Sequence, residues 1–353
     1  MAVKISGIGS YIPNVIRKNE DFLDNQFYTP DGKGFDDHPE EIIKKFEAIT
    51  GITERRYVEN HLNTSDIGSI AAQRAIENSG IDPETLDYVI VAHNFGNVKH
   101  GTTQTDILPS IAARIKRDLG IKNPSTVAYD IIFGCPGWLE GSIQAKAFID
   151  SGIAKKCLVI GVETLSRVVD PHDRDSMIYS DGAGATIFEF SEDENHGVLS
   201  HQSASFTTDE AYYIFFGETN KSKTEDKTGY IKMFGRKIYN FALINVPKAM
   251  KSCLEKSGKD ISELKKIFIH QANEKMDEAI VQRFYKLHGL ETPEKIMPMS
   301  IGKLGNSSVA TIPTLYDLFI NGHFDDEELK EGDVIMFASV GAGMNINAMI
   351  YQV

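Results

Sequence analysis

Short apolar runs alternate with longer amphipathic stretches along the whole chain. Apolar runs at 88–91, 157–161, 266–269 and 335–339 are typical of buried strands. The longer stretches between them predict helices. Strands that alternate with helices predict an α/β protein in which helices cover largely parallel sheets.

The second part of the chain repeats segments of the first part in the same order. The pairs are 75–91 with 253–269, 134–149 with 305–320, and 157–161 with 335–339. The first and third pairs are 178 positions apart (253 − 75) and the second pair is 171 apart (306 − 135). In the first pair a helix ends at Ser-Gly, where glycine suits a left-handed helix end. Three ordered repeats predict two duplicated α/β halves packed against each other.

The polar, acidic turn at 191–197 predicts the boundary between the halves. We therefore divide the chain into a first half, residues 1–195, and a second half, residues 196–353. Two segments look like insertions, 26–38 and 207–229. Plain loops are the simpler interpretation of both, although loops on α/β scaffolds also shape substrate pockets.

Composition narrows the function classes. A net charge of −13 and an isoelectric point near 5.3 oppose binding to nucleic acid or an anionic membrane, because both need a positive field. The three cysteines lack CxxC spacing, which argues against a disulfide framework or a zinc site and favours a reducing cytoplasm. No apolar run approaches the roughly 20 residues of a membrane span.

Cys135 is the strongest candidate nucleophile. It lies between a strand that ends at Gly134 and a helix that begins with Pro136, where proline is favoured. A thiol at a helix start meets the positive end of the helix dipole, which favours thiolate. A buried structural cysteine is the alternative, and we accept it for Cys157 and Cys253.

His270 and Asn306 are the candidate partners of this thiol. His270 closes a predicted parallel strand, and α/β folds place their sites at that end. Asn306 occupies the repeat position equivalent to Cys135, although it could be only a helix N-cap. The glycine-rich stretches 181–185 and 341–346 lack dinucleotide and P-loop signatures. They instead bring backbone N–H groups close to a reacting centre.

With these residues in place, the sequence strongly resembles the β-ketoacyl-acyl carrier protein synthase III family. The most specific motifs are His-Gln-Ala-Asn at 270–273 and Gly-Asn-Ser-Ser at 305–308, both after the cysteine. Supporting segments extend over nearly the whole chain. They are residues 5–13, 50–56, 170–174, 181–185 and 341–343.

The resemblance implies a thiolase-like fold of two βαβαβαββ halves in a five-layered αβαβα arrangement. It also implies that Cys135 takes up an acyl group from a thioester, with the oxyanion held by the backbone N–H groups of Cys135 and Ala342. His270 and Asn306 would then stabilise the enolate that forms when a malonyl-acyl carrier protein loses carbon dioxide. The product would be a 3-oxoacyl thioester of fatty acid, lipid or polyketide biosynthesis, made without a metal or redox cofactor.

The resemblance also implies binding residues and partners. Arg174 matches a position near the nucleotide end of coenzyme A, and Gly235 and Asn273 match positions of the pantetheine tunnel. Lys275 matches a basic residue implicated in docking of the acidic acyl carrier protein. Arg283 and Lys286, spaced for the same face of the helix, are further candidates. A merely solvated helix face is the alternative. The expected assembly is a homodimer, and coenzyme A thioesters are further expected partners.

Some positions depart from the family pattern. The tryptophan that stacks on adenine has no match around 41–46, and Pro136 and Trp138 replace the usual residues after the cysteine. These departures predict a specialised paralogue with an acyl donor other than acetyl-CoA. The alternatives are a related thiolase-fold acyltransferase or non-decarboxylative condensing enzyme, a Cys-His-Asn hydrolase, and an inactive subunit that only pairs with an active partner.

Overall fold

Two β-sheets organise the protein in a computed structural model, which describes residues 2–193, 196–222, 224–225, 227–325 and 328–353. The strands are β1 Ala2–Tyr11, β2 Val15–Lys18, β3 Glu54–Tyr57, β4 Tyr88–Ala92, β5 Asn97–Val98, β6 Thr105–Asp106, β7 Val127–Ile131, β8 Lys156–Thr164, β9 Asp181–Ser191, β10 Gly197–Ser205, β11 Ile214–Glu218, β12 Gly229–Met233, β13 Leu264–Ile269, β14 Val334–Gly341 and β15 Asn345–Gln352. The α-helices are α1 Pro39–Thr50, α2 Thr64–Ser79, α3 Ile111–Asp118, α4 Gly137–Asp150, α5 Gly235–Ser257, α6 Glu274–Lys286, α7 Ile301–Leu304 and α8 Thr311–Ile320.

The two main sheets share one strand order. The first runs β1-β9-β8-β4-β7 and the second runs β10-β15-β14-β13. In each, two antiparallel pairings are followed by a parallel one. In the second sheet the place of β7 is taken by an irregular segment, from which the Ile296 carbonyl accepts a hydrogen bond from the Ile267 N–H.

The register of the parallel strands repeats between the sheets. Tyr88 pairs with Cys157 in the first sheet and Lys266 pairs with Ile335 in the second. Each partner is shifted by the same 178 residues (266 − 88 and 335 − 157). The helices before these strands both end at a left-handed glycine, with φ of 69° at Gly80 and 72° at Gly258. The repeat seen in the sequence is therefore a repeat in three dimensions.

Helices and sheets stack in five layers. Helices α2 and α3 pack on the outer face of the first sheet, and α5 and α6 pack on the outer face of the second. Helices α4 and α8 lie between the sheets in the central core, which includes Phe188 from one sheet and Phe268 and Phe337 from the other. None of the described helices is long and apolar enough to span a membrane.

The segment 207–229 is not the plain loop expected. Its described residues contain β11, which pairs antiparallel with β12, while residues 223 and 226 lie outside the described part of the chain. The buried Lys232 ammonium of β12 contacts the carboxylates of Asp170 at 2.5 Å and Asp173 at 3.1 Å. This ion cluster fixes the hairpin against the 170–174 segment, so the insertion is an ordered part of the site wall.

The predicted boundary at 195/196 falls where residues 194 and 195 lie outside the described part of the chain. The division into 1–195 and 196–353 stays a prediction, although β9 of the first sheet ends at Ser191 and β10 of the second begins at Gly197. The segment 26–38 forms one short bridge between Tyr28 and Gly34. It lies against the same 170–174 segment through a hydrogen bond from the Tyr28 N–H to the His172 carbonyl.

Candidate active site

One cavity of about 150 Å³ brings together the three residues proposed as catalytic. Cys135 comes from the turn before α4, His270 from the end of β13, and Asn306 from the turns before α8. The rest of the wall is mostly apolar. Its large side chains are Phe95, Leu165, Tyr179, Ile214, Phe215, Phe216, Ile231, Met233, Ile238, Met276 and Val340.

The backbone around Cys135 depends on two glycines. Gly134 has φ of 66°, in the left-handed region that favours glycine, and a Cβ there would lie 2.5 Å from the Ala342 nitrogen. A Cβ on Gly341 would lie 2.3 Å from the Cys135 nitrogen. The turn of Cys135 and the turn after β14 therefore meet backbone to backbone. The N–H groups of Cys135 and Ala342 lie in these two adjacent turns. That they hold an oxyanion stays a prediction.

The thiol of Cys135 does not have the lowered pKa that its helix-start position predicted. Burial raises the pKa of Cys135 to about 11, although a hydrogen bond from the Ser308 hydroxyl, 3.3 Å from the sulfur, acts in the opposite direction. The expectation of a ready thiolate is wrong for the free protein, because desolvation in the apolar cavity outweighs the favourable local groups. Cys157 and Cys253 are fully buried, which confirms their structural interpretation.

His270 is a neutral imidazole held in the core. It follows β13 directly, and its backbone N–H donates to the Ala338 carbonyl at 2.8 Å. Burial lowers the pKa of His270 to about 4. Among the described residues its Nδ1 has no hydrogen-bond partner. The ring is therefore uncharged at neutral pH and suits hydrogen bonding better than ion pairing.

The Asn306 amide has a defined orientation. Its Oδ1 accepts a hydrogen bond from the Ser308 N–H at 2.8 Å, which leaves Nδ2 as the donor available to the cavity. Its backbone is fixed on both sides, since its N–H donates to the Ile178 carbonyl and its carbonyl accepts from the Ser180 N–H. Asn306 is not a simple helix N-cap, because a 3₁₀ turn separates it from α8.

A second cavity of about 360 Å³ adjoins the first and contains the predicted tunnel residues. The two cavities share Met233, Ile238, Ala272, Met276 and Asn306 in their walls. Arg174, Gly235 and Asn273 all line the second cavity. Asn273 also caps α6, because its Oδ1 accepts the Met276 N–H at 3.0 Å. A route thus leads past Arg174 towards Asn306, and pantetheine binding along it stays a prediction.

The three basic residues predicted for carrier docking are exposed on α6 but do not form one compact group. Lys275 lies between Asn273 and Met276 in sequence, and both of these residues line the second cavity. Arg283 and Lys286 lie roughly 12 and 16 Å farther along the helix, and Arg283 donates to the Leu243 carbonyl at 3.3 Å. Sequence reasoning missed Arg236, an exposed cation that lines the second cavity.

Two other residues near the thiol were missed, Asn94 and Glu163. Asn94 lies in the wall of the first cavity, and Glu163 is buried behind it at the end of β8. Asn94 follows β4 and Glu163 lies near the end of β8, and this position at a strand end was the signal in the sequence that could have identified them.

Trp138 lies in the central core against Phe188 and Phe337 and is absent from the cavity wall. It therefore gives no information about the acyl donor.

Comparison with known proteins places these residues in a family context. The family models described as 3-oxoacyl-[acyl-carrier-protein (ACP)] synthase III and as its C-terminal part match residues 129–206 and 254–353. The β-ketoacyl-[acyl-carrier-protein] synthase III of Staphylococcus epidermidis is 30% identical, with 100% of this chain and 99% of that protein covered. A protein of Vibrio vulnificus with the same description is 32% identical, with 97% of each covered.

Solved structures agree with the observed layers. The 3-oxoacyl-[acyl-carrier-protein] synthase III of Aquifex aeolicus superposes with a TM-score of 0.80 at 28% identity, covering 99% of this chain and 100% of that chain. The Thermus thermophilus protein gives a TM-score of 0.81 at 27% identity, covering 99% of each chain. The expected thiolase-like fold is confirmed. A papain-type hydrolase fold is excluded by the same agreement.

Proposed function

We propose that this chain, which belongs to the 3-oxoacyl-[acyl-carrier-protein] synthase III family, joins an acyl group on Cys135 to a malonyl unit carried by acyl carrier protein. The chain is accordingly an acyltransferase-type condensing enzyme. The observation that carries the proposal is the meeting of Cys135, His270 and Asn306 in one apolar cavity with a second cavity leading to it.

The first half-reaction loads the acyl group. The Cys135 sulfur attacks the carbonyl carbon of an acyl thioester, and the N–H groups of Cys135 and Ala342 stabilise the oxyanion that forms. The bond from that carbon to the donor sulfur then breaks. The proton lost by Cys135 ends on the released thiol. Because burial raises the pKa of Cys135, the acyl thioester meets a thiol that is largely protonated until it reacts.

The second half-reaction forms the carbon–carbon bond. The malonyl thioester carbonyl accepts hydrogen bonds from His270 and from Asn306 Nδ2, so that loss of carbon dioxide leaves a stabilised enolate. The enolate carbon attacks the acyl carbonyl on Cys135, the bond to the Cys135 sulfur breaks, and the sulfur takes up a proton. Two neutral donors suit this step, because carbon dioxide loss generates the carbanion without a carboxylate base.

The second cavity is proposed to hold the pantetheine arm, with Gly235 and Asn273 along it and Arg174 near its outer end. The Arg174 guanidinium carbon lies 5.6 Å from the centre of the Phe35 ring. This aromatic ring comes from the inserted segment 26–38. The Arg174 cation lies over this ring, and we propose this pair as the contact for a nucleotide end of the donor.

We also propose a homodimer in the cytoplasm. Among the described residues β7 pairs only with β4, so its other edge is open to a strand of a second copy. Large apolar side chains are exposed at this edge: Val127 of β7 is 47% exposed and Ile132, just after β7, is 65% exposed. Leu108, shortly before α3 in sequence, is 86% exposed. Light scattering on the purified protein should give about twice the chain mass of 39.2 kDa.

The decisive experiment is intact-mass measurement after exposure to a panel of acyl-coenzyme A and acyl-carrier-protein thioesters of increasing chain length. One acyl group should add to the wild type and none to Cys135→Ala. The variant should still release carbon dioxide from malonyl carrier protein, since His270 and Asn306 remain. Absence of loading by every donor would contradict the proposal and favour the inactive-subunit alternative.

A further inference from the structure

We propose that Glu163, Asn94 and Ser308 form a buried hydrogen-bond chain that aims a hydroxyl proton at the Cys135 sulfur, so that they are positioning residues for the nucleophile. The proposal deepens the function proposed above and rests on Cys135 being its nucleophile. It concerns three side chains to which the sequence motifs assigned no such role. They come from three separate parts of the chain and meet only in the folded protein.

The hydrogen-bond chain begins at a carboxyl group that is buried away from solvent. Glu163 is 1% exposed, and its Oε1 accepts two hydrogen bonds of 2.6 Å, one from the Asn94 backbone N–H and one from Asn94 Nδ2. A single oxygen thus holds both the backbone and the amide of Asn94. Turning the amide over would bring Oδ1 against this same accepting oxygen, so the orientation with Nδ2 towards Glu163 is the favoured one.

The second amide proton of Asn94 continues the chain. Asn94 Nδ2 donates to the Ser308 Oγ at 3.1 Å. An amide nitrogen donates and does not accept, so Ser308 must use its oxygen lone pair towards Asn94. The one hydroxyl proton of Ser308 is therefore left for another acceptor. The Cys135 sulfur lies 3.3 Å away and takes it.

The backbone of Ser308 is held in an unusual conformation that serves two partners. Its φ is 53°, in the left-handed region that non-glycine residues seldom adopt. In this conformation its N–H donates to Asn306 Oδ1 while its hydroxyl donates to Cys135. One residue thereby orients both the proposed malonyl-binding amide and the nucleophile. Strained backbone of this kind is concentrated at functional sites.

The electrostatics of the chain agree with such a role. Burial raises the pKa of Glu163 to about 8, so the carboxyl is mostly neutral at pH 7. A neutral carboxyl still accepts through Oε1 and places no full negative charge near the sulfur at pH 7, whereas ionised Glu163 raises the pKa of Cys135. The sulfur becomes more negative when the thiol loses its proton and when the C–S bond to the acyl group breaks, and a hydrogen bond to it then strengthens. The three hydrogen-bonded side chains therefore support a developing thiolate.

The test is the pH profile of Cys135 alkylation by iodoacetamide, with no acyl donor present. Ser308→Ala should alkylate about tenfold more slowly at pH 7, with a raised thiol pKa, because a hydrogen bond to the charged sulfur is lost. Asn94→Ala and Glu163→Ala should show smaller losses in the same direction, since the hydroxyl is then free to turn. Glu163→Gln keeps an accepting oxygen and should alkylate within about twofold of the wild-type rate at pH 7, where Glu163 is mostly neutral.

A wild-type profile for Ser308→Ala, or equal losses for Glu163→Gln and Glu163→Ala, would overturn the proposal. Ser69→Ala, which removes a half-buried hydroxyl bonded to the Ser65 carbonyl and to Asp118, is the matched control and should not change the profile. Peptide mapping must show that Cys157 and Cys253 stay unmodified, because their alkylation would reveal unfolding. If the variants follow the predicted order but no thioester loads Cys135, the proposed function fails while the positioning role stands.

Discussion

The two halves of the protein have equivalent backbone turns that carry different reactive side chains. Cys135 and Asn306 occupy equivalent turns, and the glycines just before them have nearly the same φ, 66° and 64°. At the next pair of equivalent positions His270 of the second half corresponds to Ala92 of the first (270 − 178). Each reactive side chain is thus present once, although the backbone that could hold it is present twice.

The surroundings differ in the same one-sided way. Glu163 corresponds to Gly341 (163 + 178), and Asn94 corresponds to Ala272 (94 + 178). The first half therefore places a buried carboxyl behind its side of the cavity, while the second half places bare backbone against Cys135. The two halves thus share their backbone geometry, and the different side chains at equivalent positions give each half a different role. One half supports the nucleophile and the other supplies neutral donors.

The largest effect should come from separating the two half-reactions by mutation. Cys135→Ala should lower condensation by at least about 10⁴-fold by removing the nucleophile. His270→Ala and Asn306→Ala should each lower condensation by about 10²- to 10³-fold, as loss of an oxyanion donor does, while acyl loading continues. Radiolabelled loading and product formation measured on the same samples check this. Loss of loading in Asn306→Ala would break the comparison, because both turns would then serve one step.

The repeated arrangement of helices and strands could be predicted from the sequence, because short local patterns specify it. The Ser-Gly helix ends at 79–80 and 257–258 and the apolar strands after them carry the repeat, and a repeated strand pair dictates a repeated register. The hairpin at β11 and β12 was not predicted. Its Ile-Phe-Phe run at 214–216 lacks a polar alternation, because all three side chains line the cavity, although Phe216 is also half-exposed.

The site was predictable only where motif and position coincided, as at Cys135, His270 and Asn306. The chain through Asn94 and Glu163 was not, because its members lie 69 and 214 positions from their partners and no local pattern links them. The pKa of Cys135 was predicted in the wrong direction for a related reason. The helix start is a local feature, whereas the burial that raises the pKa comes from both halves together.

A smaller effect should appear in the pH dependence of stability, with opposite signs for the two halves. The pKa of His270 falls from 6.5 to about 4 on folding, so the unfolded chain binds the extra proton and stability falls by about 3 kcal/mol as pH drops from 6.5 to 4. The pKa of Glu163 rises from 4.5 to about 8. Its folded form keeps the proton, so its contribution falls as pH rises from 4.5 to 8.

Variants separate these opposing contributions. In denaturant unfolding at fixed protein concentration, His270→Gln should lose the acid-side dependence between pH 4 and 6.5, and Glu163→Gln should lose the dependence between pH 4.5 and 8. Both glutamines are neutral throughout. The proposed difference between the halves is wrong if both variants change the pH dependence of the unfolding free energy in the same direction.

The backbone contact of the second half with Cys135 should contribute less. Gly341→Ala places a Cβ 2.3 Å from the Cys135 nitrogen, so the two turns must separate, at a cost of about 1–3 kcal/mol in unfolding free energy. Acyl loading should fall as well, because the Ala342 N–H moves with its neighbour. Gly34→Ala is the control, since a Cβ there meets nothing within 4 Å. Equal behaviour of the two variants would refute a crowded contact.

The smallest effect concerns the outer helices that follow the equivalent strands, α3 in the first half and α6 in the second. Lys275 of α6 is exposed and directly precedes Met276, which lines the second cavity, whereas Arg117 of α3 is an exposed cation whose helix does not line it. Lys275→Glu should raise the KM for malonyl carrier protein a few-fold and leave kcat unchanged, because a rim charge affects association more than chemistry. Arg117→Glu makes the same change in net charge and should leave KM unaltered. If both substitutions raise KM equally, the carrier protein responds to total charge, and the second half has no docking surface of its own at Lys275.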